Sequence, residues 1–452
     1  MKKPLPIGYD NFKKLILEEF YYVDKTLIIK EILDNTGEEN LFTRPRRFGK
    51  TLTLSMLRYF FEKEFDADGK QTDNRALFDG MKIMETDEKY TGHMGKYPVI
   101  NLSLKSAKQP TYDMAYTMLG RRISEEYKRH GYILEQIKNE ADRKRFEQIM
   151  NETADAGSYA DALAILSRIL SEVQGQNTII LIDEYDVPLE NAYFCGFYKE
   201  MIDFIRSLFE SALKTNEYLK FAVITGCLRI SKEIISITDQ NFAEHFGFTQ
   251  PEIEDILDYY ELQEKKTEIR EWYDGYLFGD TEIYNPWSVI NYVDSVWKRK
   301  DAFPKAYWAN TSSNSIVREL LEHADNVVKQ EIEDLIEGKT IEKPVHKDIT
   351  YEDIYKPQDN LWNFLFFTGY LKKVSERFDG DMSYLTLEIP NAEVRGMTII
   401  MEIKIVKDFE QMEAGCEEAL TQIEEQNYEA SLYKEGYRRF LKYGVFFTGR
   451  SA

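Results

Sequence analysis

The residues best suited to chemistry are Gly49-Lys50-Thr51, at the end of the stretch Leu41-Phe-Thr-Arg-Pro-Arg-Arg-Phe-Gly-Lys-Thr-Leu-Thr-Leu54. A short apolar strand leads into a basic loop, and an amphipathic run opens a helix after it. That order is what a phosphate-binding loop requires. Backbone N–H groups at the helix start face an anion, a lysine reaches the outer phosphates, and a hydroxyl follows to hold Mg²⁺. The pattern G-x-x-x-x-G-K-[ST] is incomplete, because Arg44 stands where the first glycine belongs. A second element is therefore needed. It comes from Asn177-Thr-Ile-Ile-Leu-Ile-Asp-Glu-Tyr-Asp-Val-Pro188, an apolar run of the kind buried on both faces of a parallel sheet. Two carboxylates end it, where ligands bind in open α/β sheets. Asp183 is placed to hold Mg²⁺ through water, and Glu184 to polarise the water that attacks a γ-phosphate. A third strand, Leu219-Lys-Phe-Ala-Val-Ile-Thr-Gly226, ends in the Thr225 hydroxyl, placed to sense that phosphate. Arg229 is a further candidate for the γ-phosphate, against the plainer reading as a surface cation.

These residues need an alternating frame to hold them. Strands are expected at 40–43, 97–104, 177–183, 219–226 and again within 242–248, with helices between, which means βαβ crossovers and a mainly parallel sheet. A charged helical insert covers roughly 112–172. The lead-in, residues 1–37, carries a helix over Lys25–Leu33, with Asp24 as its N-cap. The α/β domain spans 38–250. From Thr249-Gln-Pro-Glu252, a capping box, the pattern turns helical, and 251–345 reads as a lid over the sheet. Trp272, Tyr273, Tyr276 and Trp287 belong to the core of that lid rather than to a base-stacking platform. In 346–395 a helix from Asn360 precedes a hairpin turning at Asp379-Gly380-Asp381, the order of a winged helix.

The segments Leu5–Gly8, Phe20–Thr26, Phe42–Thr51, Leu181–Leu189, Ile224–Ser231, Glu271–Tyr276, Tyr284–Trp287 and Ile389–Asn391 resemble those of the predicted AAA-ATPase-like proteins of bacteria. The resemblance covers nearly the whole chain. It implies a P-loop NTPase fold, with ATP and Mg²⁺ bound by Arg44, Arg46, Arg47, Phe48, Gly49, Lys50, Thr51 and Leu52, the metal lying between Thr51 and Asp183. An arginine at the first loop position is usual in that group. The resemblance also implies a C-terminal PD-(D/E)XK nuclease-like domain. There Glu402 and Lys404, two apart on one strand, and Gln422 on the following helix take the positions of its metal and helix residues. Only Ala392–Met397 separates Asn391 from that strand, and the segment that would carry the second metal-binding carboxylate is missing. Residues 396–452 therefore read as a truncated, inactive remnant.

Composition narrows the partners. The chain has 452 residues, 43% of them hydrophobic, 30% charged and 14% aromatic, which is the profile of folded domains rather than disorder. That length divides into two or three domains. The formal net charge is −21. Phosphate contacts dominate nucleic-acid affinity, so a field of this sign disfavours DNA or RNA as a partner. The cations Arg46, Arg47 and Lys50 suit a nucleotide better than a duplex. No apolar run reaches membrane-spanning length, and three scattered cysteines read as reduced thiols of a cytoplasmic protein. The expected function is an ATP-binding protein with slow, Mg²⁺-dependent hydrolysis. Two other readings stand beside it. One is a non-hydrolysing module that acts on a protein partner; the other, disfavoured by the missing carboxylate, is a metal-dependent DNA nuclease.

Overall fold

In a computed structural model the described residues are 2–35, 37–66, 69–214, 216–227, 241–308, 326–345, 359–380, 382–395, 399–406 and 441–448. Four strands build the central sheet: β1 (Glu39–Thr43), β2 (Val99–Ser103), β3 (Thr178–Asp183) and β4 (Leu219–Gly226). They run parallel in the order β1-β4-β3-β2. Every residue of β3 is buried, as its unbroken Thr/Ile/Leu run requires of a central strand covered on both faces. The register sets Thr43 beside Gly226, Phe42 beside Thr225, and Ser103 beside Asp183, so the C-terminal ends of all four strands share one edge. Helices Lys50–Phe61, Tyr112–Arg129 and Ala162–Gln174 bury Leu54, Leu57, Leu119, Ile123, Leu166 and Ile169 in the same core as the sheet.

The helices that follow residue 249 have a core of their own, within the span expected to be a lid. Helices Gln250–Tyr260, Lys266–Tyr273 and Pro286–Lys298 bring together Ile253, Leu257, Ile269, Tyr273, Val289 and Tyr292. The capping box is formed, with Glu252 accepting the Thr249 N–H at 2.8 Å. A two-stranded hairpin, β5 (Tyr276–Phe278) and β6 (Thr281–Ile283), leaves this core to meet the sheet domain. The lead-in straps the two cores together. Leu5 lies in the lid core while Phe12, Ile28 and Ile32 lie in the sheet core. Between them the buried Lys25 ammonium donates to Glu252 and to the Glu244 carbonyl.

Two local expectations change. The lead-in helix begins at Ile28, not Lys25, because Asp24 accepts from the Thr26 N–H at 2.8 Å and its hydroxyl at 2.6 Å, closing a turn that delays the helix. Residues 242–248 form no strand. Phe242 at φ 60° and Gly247 at φ 86° break the extended backbone, leaving a short 3₁₀ turn over Ala243–His245 and one bridge from Phe248 to Tyr284.

Further on, helix Asp359–Phe367 precedes the antiparallel hairpin β8 (Lys372–Asp379) and β9 (Met382–Glu388). Strand β7 (Ile341–Pro344), inside the span assigned to the lid, pairs with β9 and makes the sheet three-stranded. Strands β10 (Ile399–Val406) and β11 (Leu441–Thr448) pair in parallel, with Glu402 opposite Gly444 and Lys404 opposite Phe446. Gln422 lies outside the described residues, as does Arg229. No described helix is long and apolar enough to cross a membrane.

Candidate active site

The loop after β1 reaches its shape through two left-handed residues, Arg47 at φ 71° and Gly49 at φ 85°, the second capping helix Lys50–Phe61. Glycine takes that conformation freely, whereas an arginine there is strained, and such strain gathers at binding loops. The Lys50 side chain folds back under the loop. Its buried ammonium donates to the carbonyls of Arg44 at 2.7 Å and Pro45 at 2.9 Å, with the Cys227 sulfur at 3.7 Å. Thr51 follows on the first helical turn, and Leu52 is half-buried beside it.

At the end of β3, Asp183 is gripped by two hydroxyls. Thr51 Oγ1 donates to Oδ2 at 2.7 Å, and Thr225 Oγ1 donates to Oδ1 at 2.6 Å. The structure thus brings together the loop, β3 and β4 residues that the sequence proposed, although Thr225 faces Asp183 rather than open space. Glu184 is half-buried, in a left-handed backbone at φ 52°. Burial raises its carboxyl pKa, the Asp183 charge adds to that, and Lys50 and Lys105 oppose it. A carboxyl raised in this way moves toward the pH at which a general base works.

The cations of the loop do not act alike. Arg44 is fully buried, donating to the Thr43 carbonyl at 3.1 Å with its guanidinium over the rings of Phe278 and Phe246. It fills the space where a first glycine would leave a gap. Arg46 forms an ion pair with the buried Glu190. Arg47 is exposed and lies over Trp287. Phe48 is buried against Tyr276 and Phe278.

Sequence reasoning missed the second layer beneath Asp183 and Glu184. Asp186 accepts the Cys227 N–H at 2.8 Å and so fixes the chain as it leaves β4. A Cβ on Gly226 would stand 2.5 Å from the Tyr185 ring and 2.9 Å from the Asp186 carboxylate, so glycine is required there for close approach. The acidic run Asp183-Glu184-Tyr185-Asp186 and Glu190, one helical turn on, were the available signal. Burial pushes the Cys227 thiol up to about 11, so it faces Lys50 uncharged.

A model of a family described as predicted AAA-ATPase matches residues 6–236. An uncharacterized protein in the vnfD 5′ region of Azotobacter chroococcum mcd 1 is 24% identical over 332 residues, 71% of this chain and 56% of that protein. The chain thus spans little more than half the length of that relative. The Walker-type ATPase PABY2304 of Pyrococcus abyssi aligns over 87% of this chain and 97% of its own, at 11% identity and a TM-score of 0.42. The family match takes in the loop and the ends of β3 and β4, and the chain belongs to the predicted AAA-ATPase family.

Proposed function

We propose that this protein binds ATP with Mg²⁺ at the loop 44–51 and hydrolyses it slowly. One observation carries the reading: Asp183 sits between Thr51 at 2.7 Å and Thr225 at 2.6 Å, directly below the loop that Lys50 closes. A hydroxyl and a carboxylate are the hard oxygen donors Mg²⁺ prefers, and so small a protein contribution suits an ion that shares its shell with water and phosphate. Thr51 and Asp183 would hold it. When bound, Mg²⁺ would neutralise charge on the outer phosphates. Loop N–H groups and the Lys50 ammonium bind the phosphates, Arg46 and Arg47 add positive field, and Glu184 takes a proton from the attacking water. Arg44 does not weigh against this, since packing absorbs its side chain.

The roles of the two carboxylates separate by substitution. In Glu184→Gln nucleotide affinity should persist while phosphate release falls by about a hundredfold or more, the usual contribution of a positioned base. In Asp183→Asn the Mg²⁺-dependent part of binding should be lost. Equal loss of binding in both variants, measured by calorimetry with and without Mg²⁺, contradicts these roles.

Residues 396–452 are proposed to have no nuclease activity. Cleavage of a phosphodiester by that superfamily needs a metal held by two carboxylates, and only Glu402 is identifiable from the sequence. Supercoiled DNA with Mg²⁺ or Mn²⁺ should remain intact; nicking that disappears in Glu402→Ala would refute the remnant reading.

A further inference from the structure

The phosphate loop is packed against the β5–β6 hairpin and against Gly369. Arg44 lies 4.8 Å over the Phe278 ring, and Phe48 meets Tyr276 at 4.9 Å and Phe278 at 5.3 Å. Pro45 abuts Gly369 so closely that a Cβ there would stand 3.0 Å from it. These three loop residues are buried and locked. Arg47 differs: it is exposed, its backbone is left-handed at φ 71°, and its guanidinium rests 4.4 Å from the Trp287 ring. The indole is fixed in turn, because its Nε1–H donates to the Tyr307 carbonyl at 3.2 Å. Burial lowers the Arg47 pKa and the Glu184 carboxylate opposes that, so Arg47 already lies within the field of the β3 end.

Magnitudes decide what a triphosphate would do here. An exposed cation–π contact shifts an equilibrium only a few-fold, whereas a charge-assisted hydrogen bond to phosphate is worth about tenfold or more. A strained, solvent-facing arginine beside a phosphate loop gives up the weaker partner. We infer that Trp287 is the resting seat of Arg47, and that the outer phosphates of a bound nucleoside triphosphate draw Arg47 off the indole, so that the lid registers whether the loop is occupied. This inference rests on the ATP-binding reading above. The signal has a short way to travel. Ser288, next to Trp287, donates to the buried Glu393 carboxylate at 2.8 Å, and the Trp308 N–H donates to the same oxygen at 2.9 Å. Asn391, two residues earlier, donates to the Asp274 carbonyl at 2.6 Å. Trp287 therefore stands at the joint between the loop and the segment that leads out of the lid.

The test uses the full chain, with calorimetry for binding and tryptophan emission for the seat. ATP with Mg²⁺ should change the emission of the parent protein, and AMP should change it much less. Most of the change should be lost in Trp287→Phe, which still binds ATP by calorimetry. It should also be lost in Arg47→Ala, an exposed position, where affinity should fall about tenfold. An unchanged parent emission under calorimetrically proven ATP binding overturns the inference alone, as does the full change surviving in Trp287→Phe. Absence of ATP binding in the parent overturns the function and this inference together.

Discussion

The central sheet buries two sets of carboxylates, and they are compensated in opposite ways. On the outer edge of β2, Glu62 and Glu126 share the Arg129 guanidinium, and Glu126 also accepts the Asn101 N–H of the strand at 2.7 Å. Arg129 and His130 donate toward the Val99 carbonyl, so the cluster covers a strand edge that would otherwise offer free backbone groups. Burial alone would raise the Glu126 carboxyl, but Arg129 more than reverses that and holds it well below the usual carboxylate range. At the end of β3, the partners of the Asp183 carboxylate among the described residues are two neutral hydroxyls, and the pKa of Glu184 moves up instead. The Lys50 ammonium, which acts on Glu184, is engaged by carbonyls. The difference separates a charge set that completes the fold from one that, in the proposed function, meets further charge. Perturbed carboxyls of the second kind mark functional sites more often than ion-paired ones do.

Breaking the compensated set should have the largest effect. Arg129→Ala leaves Glu126 buried without its guanidinium partner and Glu62 with Arg58 alone, and should lower unfolding free energy by about 3–5 kcal/mol, read from the denaturant midpoint. If the comparison holds, the extra stability conferred by saturating MgATP should be unchanged in that variant, because the nucleotide set is independent of the β2 edge.

A third buried acid lies between these cases. Glu393 accepts from Ser288 and the Trp308 N–H, with no ion pair among the described residues, and burial pushes its carboxyl up to about 7. A raised carboxyl pKa means that the folded state holds its proton more tightly than the unfolded chain does. The stabilisation is complete below the unfolded value near 4.5 and is lost as pH rises through about 7. Unfolding of the parent at pH 8 should therefore be easier than at pH 6 by about 1–1.5 kcal/mol. Glu393→Gln, which keeps the acceptor oxygen, should flatten that slope; an unaltered slope would assign the pH dependence elsewhere.

The last effect is on binding, at the uncompensated set itself. Lys50→Ala should weaken ATP by about 1.5–3 kcal/mol, the value of a charge-assisted contact, and should also lower the denaturant midpoint, because the buried Arg44 and Pro45 carbonyls lose their donor. Equal ATP affinity in parent and variant would mean that Lys50 serves only the loop carbonyls.

Local pattern was enough to read β1, β3 and β4, the loop before helix Lys50–Phe61, and the capping box at Thr249. Those features depend on side-chain period, chain direction and residues a few positions apart, all of which a linear string records. Asp183 could be placed for the same reason, because a carboxylate closing a buried strand must emerge at the sheet edge. Tertiary packing alone decided the rest. It turned Arg44 into a wedge against Phe278, tied Lys25 to Glu252, closed the β2 edge with Arg129, and laid Arg47 on Trp287. The partners in each pair are far apart in sequence, and no local propensity couples them. They meet because two cores, once folded, must fill the space between them and satisfy the polar groups caught there.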